Sequence, residues 1–339
     1  MDIHELNRIA RDMVAKGKGI LAADESSGTI KKRFDAINVE NTETNRRDYR
    51  EFMFRTPAMR DYISGVILYD ETIRQKAKDG TPLVDLITAA GAVPGIKVDA
   101  GAKPLAGSPG ETVTEGLDGL RERFVEYHKL GARFAKWRAT YDPSGGKPSY
   151  NCINANAHAL ARYAALAQEA NIVPIVEPEV LMDFDNDIDA CEAVTEWVLR
   201  ETFQELYYAN VVLEGMILKP NMVIAGKKCP KQAGVEEVAE KTVKVLKRCV
   251  PTAVPGIAFL SGGQSDEEAT AHLDAMNRIG NLPWKLTFSY GRALQAAPQA
   301  AWSGKADNVA KGQAAFAHRA LMNSKAALGK WTKADEKAA

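Results

Sequence analysis

Short apolar runs alternate with helical periodicity along most of the chain. The runs are GKGILAAD (17–24), SGVILYD (64–70), VPGIKVD (93–99), ARFAKWR (132–138), IVPIVEPE (172–179), GMILKPN (215–221), GIAFLSGG (256–263) and KLTFSYG (285–291). Each has strand-like character and is bounded by glycine or proline. Between them lie stretches with apolar residues at helical spacing, such as NCINANAHALARYAALAQEA (151–170) and VEEVAEKTVKVLKRCV (235–250). The second opens acidic and closes basic, as a helix dipole favours. The N-terminal MDIHELNRIARDMVAKGKG reads as an amphipathic helix with acidic residues in it, not as a signal peptide. YDPSGGKPS (141–149) reads as a long loop after a strand.

Repeated strand–helix units imply parallel strands joined by right-handed crossovers. Their number and spacing match an α/β protein of the closed (β/α)8 type, the TIM barrel. An open doubly wound sheet is the alternative, weakened because no GxGxxG follows the first strand. No linker divides the chain, so residues 1–339 read as one barrel domain. Its strands run from about 17 to 291, and a C-terminal helical region and short tail occupy 292–339.

Composition narrows the classes of function. The 44 basic residues balance 44 acidic ones, which removes any electrostatic reason to expect nucleic acid or an anionic membrane surface as partner. No apolar run approaches the length of a membrane span. Cys152, Cys191, Cys229 and Cys249 show neither a CxxC pair nor a disulfide-framework spacing, and read as free thiols in a reducing cytoplasm. The histidines are equally dispersed and offer zinc no set of ligands. A metal-free mechanism is expected.

Charged residues then stand out at the carboxyl ends of the apolar runs. Asp24 ends the first, Lys97 and Asp99 the third, Lys136 and Arg138 the fourth, Glu177 and Glu179 the fifth, and Lys219 the sixth. Residues two apart on a strand share a face. In a barrel the carboxyl ends of all strands converge on one mouth, where barrel enzymes keep their chemistry. Lys219 could instead lay its stem on apolar surface with its ammonium in water. That reading predicts charges scattered over loops, whereas these terminate the strands themselves.

Crowded cations have a chemical consequence. A lysine partly desolvated beside other positive groups has a depressed pKa, and its free amine attacks a ketone to form a Schiff base. The iminium is an electron sink for breaking a neighbouring C–C bond. Spacing does not say whether Lys97, Lys136 or Lys219 is the nucleophile. The carboxylates supply acid–base catalysis: one for loss of water from the carbinolamine, another for a hydroxyl proton during cleavage.

The last two strands point to the ligand. LSGGQS (260–265) offers a glycine-rich turn with hydroxyls, and SYGRALQ (289–295) offers Gly291 and Arg292 before a helix. Barrel phosphate sites are commonly built there. DESSGTIKKR (24–33) places Ser26, Ser27, Gly28 and Thr29 at a helix start, either as an N-cap with its turn or as a second anion site. Two anion sites with a lysine between them suggest a substrate phosphorylated at both ends.

Taken together, GKGILAADESSGTIKKR, GVILYDETIRQKAKDG, GIKVD, LAGSPGETVTEGLDGL, FAKWR, NANAHALARYA, IVPIVEPEV, LEGMILKPNMV, FLSGGQSDEEA and WKLTFSYGRALQ resemble the class I fructose-bisphosphate aldolases. They occur in family order from about residue 17 to about 295, with a weaker match at GKW (329–331). The resemblance implies reversible cleavage of fructose 1,6-bisphosphate to dihydroxyacetone phosphate and glyceraldehyde 3-phosphate, without metal or cofactor. It implies Lys219 as the Schiff-base lysine and Glu177 as the acid–base for the carbinolamine, with Glu179 and Lys136 beside it. Asp24 would take the proton of the C4 hydroxyl. Arg138 and Lys97 would bind substrate, Lys97 with Ser26 and Thr29 near the C6 phosphate. Ser261, Gly262, Gly291 and Arg292 would hold the C1 phosphate. The family is usually a cytosolic homotetramer.

Two departures from the family stand in the sequence. Thr29 occupies a position where many members have serine, and its hydroxyl can still donate. Many members also continue into a tail ending in tyrosine, which helps move the C3 proton, whereas this sequence ends at GKWTKADEKAA. That step and the choice between the bisphosphate and fructose 1-phosphate are the properties expected to change, and Tyr290 is not assumed to substitute. Three other readings fit the sequence less well. A different Schiff-base lyase or transaldolase fits two phosphate sites poorly. A barrel isomerase would want a histidine near strand ends. A non-enzymatic scaffold would predict gaps in the strand-end set.

Overall fold

The computed structural model describes residues 1–337. Its centre is a closed parallel barrel of the (β/α)8 class. The strands, in chain order, are β1 (Gly19–Ala23), β2 (Ile63–Leu68), β3 (Val93–Lys97), β4 (Ala102–Pro104), β5 (Thr112–Thr114), β6 (Phe134–Tyr141), β7 (Val173–Val180), β8 (Ile217–Leu218), β9 (Gly256–Phe259) and β10 (Lys285–Tyr290). Around the ring the order is β1-β10-β9-β8-β7-β6-β3-β2. All eight apolar runs supply a barrel strand. β4 and β5, which the sequence pattern did not suggest, form a separate antiparallel hairpin between β3 and the next helix.

Side-chain alternation explains how the barrel is filled. Ile20, Ala22, Ile67, Phe134, Val173, Ile175, Ile217 and Ala258 form one buried cluster inside the ring. Their sequence neighbours Leu21, Ala23, Val66, Leu68, Ala135, Val176 and Leu218 belong to a second cluster shared with the outer helices. The N-terminal helix, Ile3–Met13, closes the lower end of the ring, and its buried stripe Leu6, Ile9, Ala10 and Met13 joins the inner cluster. That stripe has the i, i+3, i+4, i+7 spacing of one helix face. Gly95 is required opposite Phe134, because a Cβ there would stand 2.3 Å from the ring.

Carrying the inward parity two or four residues onward reaches the charged set. Ile20 and Ala22 lead to Asp24, Gly95 to Lys97 and Asp99, and Phe134 to Lys136 and Arg138. Val173 and Ile175 lead to Glu177 and Glu179, and Ile217 to Lys219. The expectation that these charges terminate their strands needs correction for two of the strands. β6 continues to Tyr141 and β7 to Val180, and these eight-residue strands pair along their whole length. Lys136, Arg138, Glu177 and Glu179 therefore sit within strand backbone that the β6–β7 ladder pairs along its whole length, and Lys136 is paired on its other edge as well, opposite Lys97. β8 is the opposite case, with two residues before Lys219, whose N–H still donates to the Val176 carbonyl at 2.8 Å.

Candidate active site

The mouth of the barrel holds a cavity of about 790 Å³. Every residue to which the family resemblance gives a role lines it: Asp24, Ser26, Thr29, Lys97, Lys136, Arg138, Glu177, Glu179, Lys219, Ser261, Gly262, Gly291 and Arg292; Ser27 and Gly28, also at that helix start, do not. Their order around the ring is orderly. β9 carries the Ser261–Gly262 turn, β8 leads to Lys219, β7 carries Glu177, β6 carries Lys136 and β3 ends on Lys97. β9 and β3 lie opposite each other in the ring, so the Ser261–Gly262 turn and Lys97 stand on opposite sides of the mouth, with Lys219, Glu177 and Lys136 on the strands between them; Ser26 and Thr29 follow β1, which neighbours β10.

The ion pairs separate the three lysines. Lys136 Nζ lies 2.7 Å from Asp24 Oδ2 and 3.3 Å from Glu177 Oε2. Burial pushes the Lys136 pKa down, but Asp24, Glu177 and Asp99 outweigh it, and the ammonium is held well above its ordinary range. The expected crowding of cations does not act on Lys136, because carboxylates enclose it. Lys97 is held by Asp99, at 2.8 Å from Oδ1 and donating at 2.8 Å to the backbone carbonyl. Lys219 is buried and lies 3.2 Å from Glu177 Oε1, without a carboxylate of its own. Glu177 thus stands between two ammonium groups, and its Oε2 makes no hydrogen bond among the described residues.

Asp24 shows the same balance from the acidic side. Burial pushes its carboxyl up, yet the charges of Lys136, Lys219 and Lys97 and the Lys136 hydrogen bond bring it down to about 2. Arg138 donates from Nε to Glu179 Oε2 at 2.5 Å, and that pairing holds the guanidinium above its usual range against burial.

Helix starts build both ends of the cavity. Ser26 caps helix Ser27–Asp35, accepting from the Thr29 N–H, and its hydroxyl lies 3.1 Å from that of Thr29. The cap and the cavity lining are therefore the same residues. At the other end Gly291 is the cap of helix Arg292–Trp302, and an Arg292 Nη2 donates to the Gly262 carbonyl, tying the two loops together. Gly262 has φ +48°, and a Cβ there would meet Met182 Cε at 2.1 Å. Tyr290 does not line the cavity, and its hydroxyl donates to the Ala269 carbonyl.

Several lining residues escaped the sequence reading. Glu25, Arg33, Tyr69, Thr140 and Ser289 also border the cavity, and the Ser289 hydroxyl is buried with no partner among the described residues. Arg33 and Thr140 carried a usable signal: one lies a helical turn beyond Thr29, the other continues the inward parity of Lys136 and Arg138. A histidine does approach a strand-end loop, from outside. His272 Nδ1 lies 2.6 Å from Nε2 of Gln264, just beyond the Ser261–Gly263 turn, and burial pushes its pKa down to about 4.

Comparison with known proteins gives a consistent picture. The family described as fructose-bisphosphate aldolase class-I matches residues 5–339. A protein of Xanthomonas campestris named a probable fructose-bisphosphate aldolase class 1 is 60% identical over 332 residues, covering 98% of this chain and 99% of that one. Cytosolic fructose-bisphosphate aldolase 5 of Arabidopsis thaliana is 56% identical, covering 97% of this chain and 92% of that one. Among solved structures, fructose-bisphosphate aldolase from Plasmodium falciparum, crystallised with TRAP and a small-molecule inhibitor, superimposes with a TM-score of 0.96. It is 49% identical and covers 97% of this chain and 95% of that one.

Proposed function

The chain belongs to the class I fructose-bisphosphate aldolase family, and from that premise we propose how its residues divide the reaction. The protein is a carbon–carbon lyase that cleaves fructose 1,6-bisphosphate reversibly to dihydroxyacetone phosphate and glyceraldehyde 3-phosphate through a lysine Schiff base, a step of glycolysis and gluconeogenesis. Lys219 is the nucleophile. Its neutral amine attacks the C2 ketone, and Glu177 protonates the departing hydroxyl of the carbinolamine so that water leaves and the iminium forms. Asp24 accepts the C4 hydroxyl proton as the C3–C4 bond breaks. The bonding pair moves into the iminium, the aldehyde product departs and an enamine remains. Protonation at C3 and hydrolysis then release dihydroxyacetone phosphate and restore Lys219.

Lys136 holds Asp24 in its charged form and lies 3.3 Å from Glu177, and Arg138 is braced by Glu179 toward the sugar hydroxyls. Lys97, Ser26 and Thr29 bind the C6 phosphate. Ser261, Gly262, Gly291 and Arg292 bind the C1 phosphate, where the start of helix Arg292–Trp302 adds its partial positive charge. The observation that carries the assignment is the separation of the lysines: Lys97 and Lys136 are each engaged by a close carboxylate, whereas Lys219 shares only Glu177, at 3.2 Å.

The test is borohydride reduction with dihydroxyacetone phosphate, followed by peptide mass mapping. A triose-phosphate adduct on the peptide containing GMILKPNM is expected. An adduct on the FAKWR or GIKVD peptide would move the nucleophile to Lys136 or Lys97. No adduct at all would remove the Schiff base from this chain.

The same reading extends to the whole chain working as one barrel unit and to a cytosolic homotetramer. Support for the compartment comes from the Arabidopsis relative named cytosolic and from four cysteines that are unpaired. Support for assembly comes from the helix Ile188–Tyr208, which leaves Trp197, Tyr207 and Tyr208 exposed together with Tyr150 nearby in the outer layer.

A further inference from the structure

We propose that Arg50 is a positioning residue for the cleavage base: it grips the peptide carbonyls on either side of Asp24 and so sets where that carboxylate stands. The inference rests on the role given to Asp24 above. The ladder from β1 to β10 ends at Leu21 opposite Tyr290, while the ladder from β1 to β2 continues to Ala23 opposite Leu68. Beyond Leu21 the backbone that delivers Asp24 to the cavity is therefore paired along one edge alone. A strand end held on one side would let the carboxylate wander.

Side chains from two helices take the place of the missing strand. Arg50, on helix Glu43–Phe54, donates from Nε to the Ala23 carbonyl at 3.3 Å and from Nη2 to the Glu25 carbonyl at 3.2 Å. Gln295, on helix Arg292–Trp302, donates from Nε2 to the Ala22 carbonyl at 2.5 Å and to Glu25 Oε1 at 2.8 Å. The Gln295 amide is itself oriented by Tyr49, whose hydroxyl donates to Oε1 at 2.8 Å. Glu25 completes the frame, its Oε2 lying 3.4 Å from Arg50 Nη2. The carbonyls of Ala22, Ala23 and Glu25 are all engaged, and the residue between them is Asp24.

Arg50 is fully buried. Burying a guanidinium is costly, and an apolar side chain of similar volume would pack this position with less desolvation. What arginine adds is direction: its planar fork reaches two carbonyls at once, which a lysine ammonium on a flexible stem does not reproduce. Arg50 lies behind the strand and does not line the cavity. Its influence on the reaction passes through backbone to Asp24.

The test separates cleavage from Schiff-base formation. In Arg50→Lys the positive charge near Glu25 stays and the fork is lost. Displacing a reacting group by about 1 Å can cost roughly 100-fold, so kcat for bisphosphate cleavage is expected to fall by about that factor with KM within about threefold. Borohydride trapping of dihydroxyacetone phosphate on Lys219 should proceed at the rate of the unsubstituted protein, since it draws on Lys219 and Glu177. Gln295→Met frees the Ala22 carbonyl without removing a charge. It should show the same split to a smaller degree, and it decides the matter if Arg50→Lys does not fold. Cleavage within about threefold of normal in both variants overturns the proposal, as does trapping that falls in step with cleavage. Asp24→Asn is the reference. Normal cleavage there overturns the role of Asp24 and this proposal with it, whereas loss there beside normal cleavage in the other two overturns the positioning role alone.

Discussion

At the scale of single residues, the site works by opposing burial with charge. Asp24 and Lys136 would each be driven toward neutrality if buried alone. Together they stay ionised, and Lys136 also lies against Glu177. Lys136→Met should show how much depends on it. With its nearest cation gone, burial is left to raise the Asp24 carboxyl from about 2, so the acid limb of the cleavage pH profile should move upward by more than about one unit. An acid limb at its original pH would mean that Lys136 does not control Asp24. The stability consequence has a definite sign. Asp24 has a folded pKa below its unfolded value of 3.8, so its contribution is complete above that value and is lost as pH falls toward about 2. Unfolding followed through that window should show a steeper loss for the unsubstituted protein than for Asp24→Asn.

At the scale of elements, two long strands carry four of the charged groups of the site, and turns carry most of the proposed phosphate contacts. Lys136, Arg138, Glu177 and Glu179 stand on β6 and β7, which pair from Phe134 opposite Val173 to Tyr141 opposite Val180. Rigid backbone suits groups that must meet reacting atoms within a fraction of an ångström. The Ser261–Gln264 turn instead offers backbone N–H groups, and it is fixed from behind by Met182, Gln264 and His272. Gly262→Ala tests that arrangement. The positive φ alone costs about 1 kcal/mol or more for alanine, and the clash with Met182 Cε adds to it. KM for the bisphosphate should rise by roughly tenfold with a smaller change in kcat, because the loss falls on phosphate binding. A kcat that collapses with KM unchanged would place the turn in the chemical step instead.

At the scale of the whole molecule, the barrel turns local alternation into convergence. Five strands far apart in sequence each bring an inward row that begins apolar and ends charged, and ring closure points those rows at one cavity. The outer helix Ile188–Tyr208 presents Trp197, Tyr207 and Tyr208 to solvent in the single chain, with Tyr207 75% exposed. Light scattering should therefore return a mass near four times the 36.9 kDa of the chain. A mass equal to one chain would leave those aromatics without the partner proposed for them.

Much of the fold was legible in the sequence. Apolar runs bounded by glycine and proline marked the eight barrel strands, since burial on both faces demands continuous apolar residues. The charged positions that interrupt those runs marked the site, because a charge is tolerated in such a strand only where it meets a cavity or a partner. The ordered motifs also carried the family. Tertiary structure decided the rest. Spacing did not separate Lys97, Lys136 and Lys219, because what distinguishes them is which carboxylate each ammonium meets, and the contacts of Lys136 and Lys219 join strands remote in the chain. Arg50, Gln295 and His272 gave no local signal for the same reason: each acts on a backbone segment or side chain that only folding brings beside it. Local pattern determines which face of a strand is buried; which groups then meet across that face is set by closure of the ring.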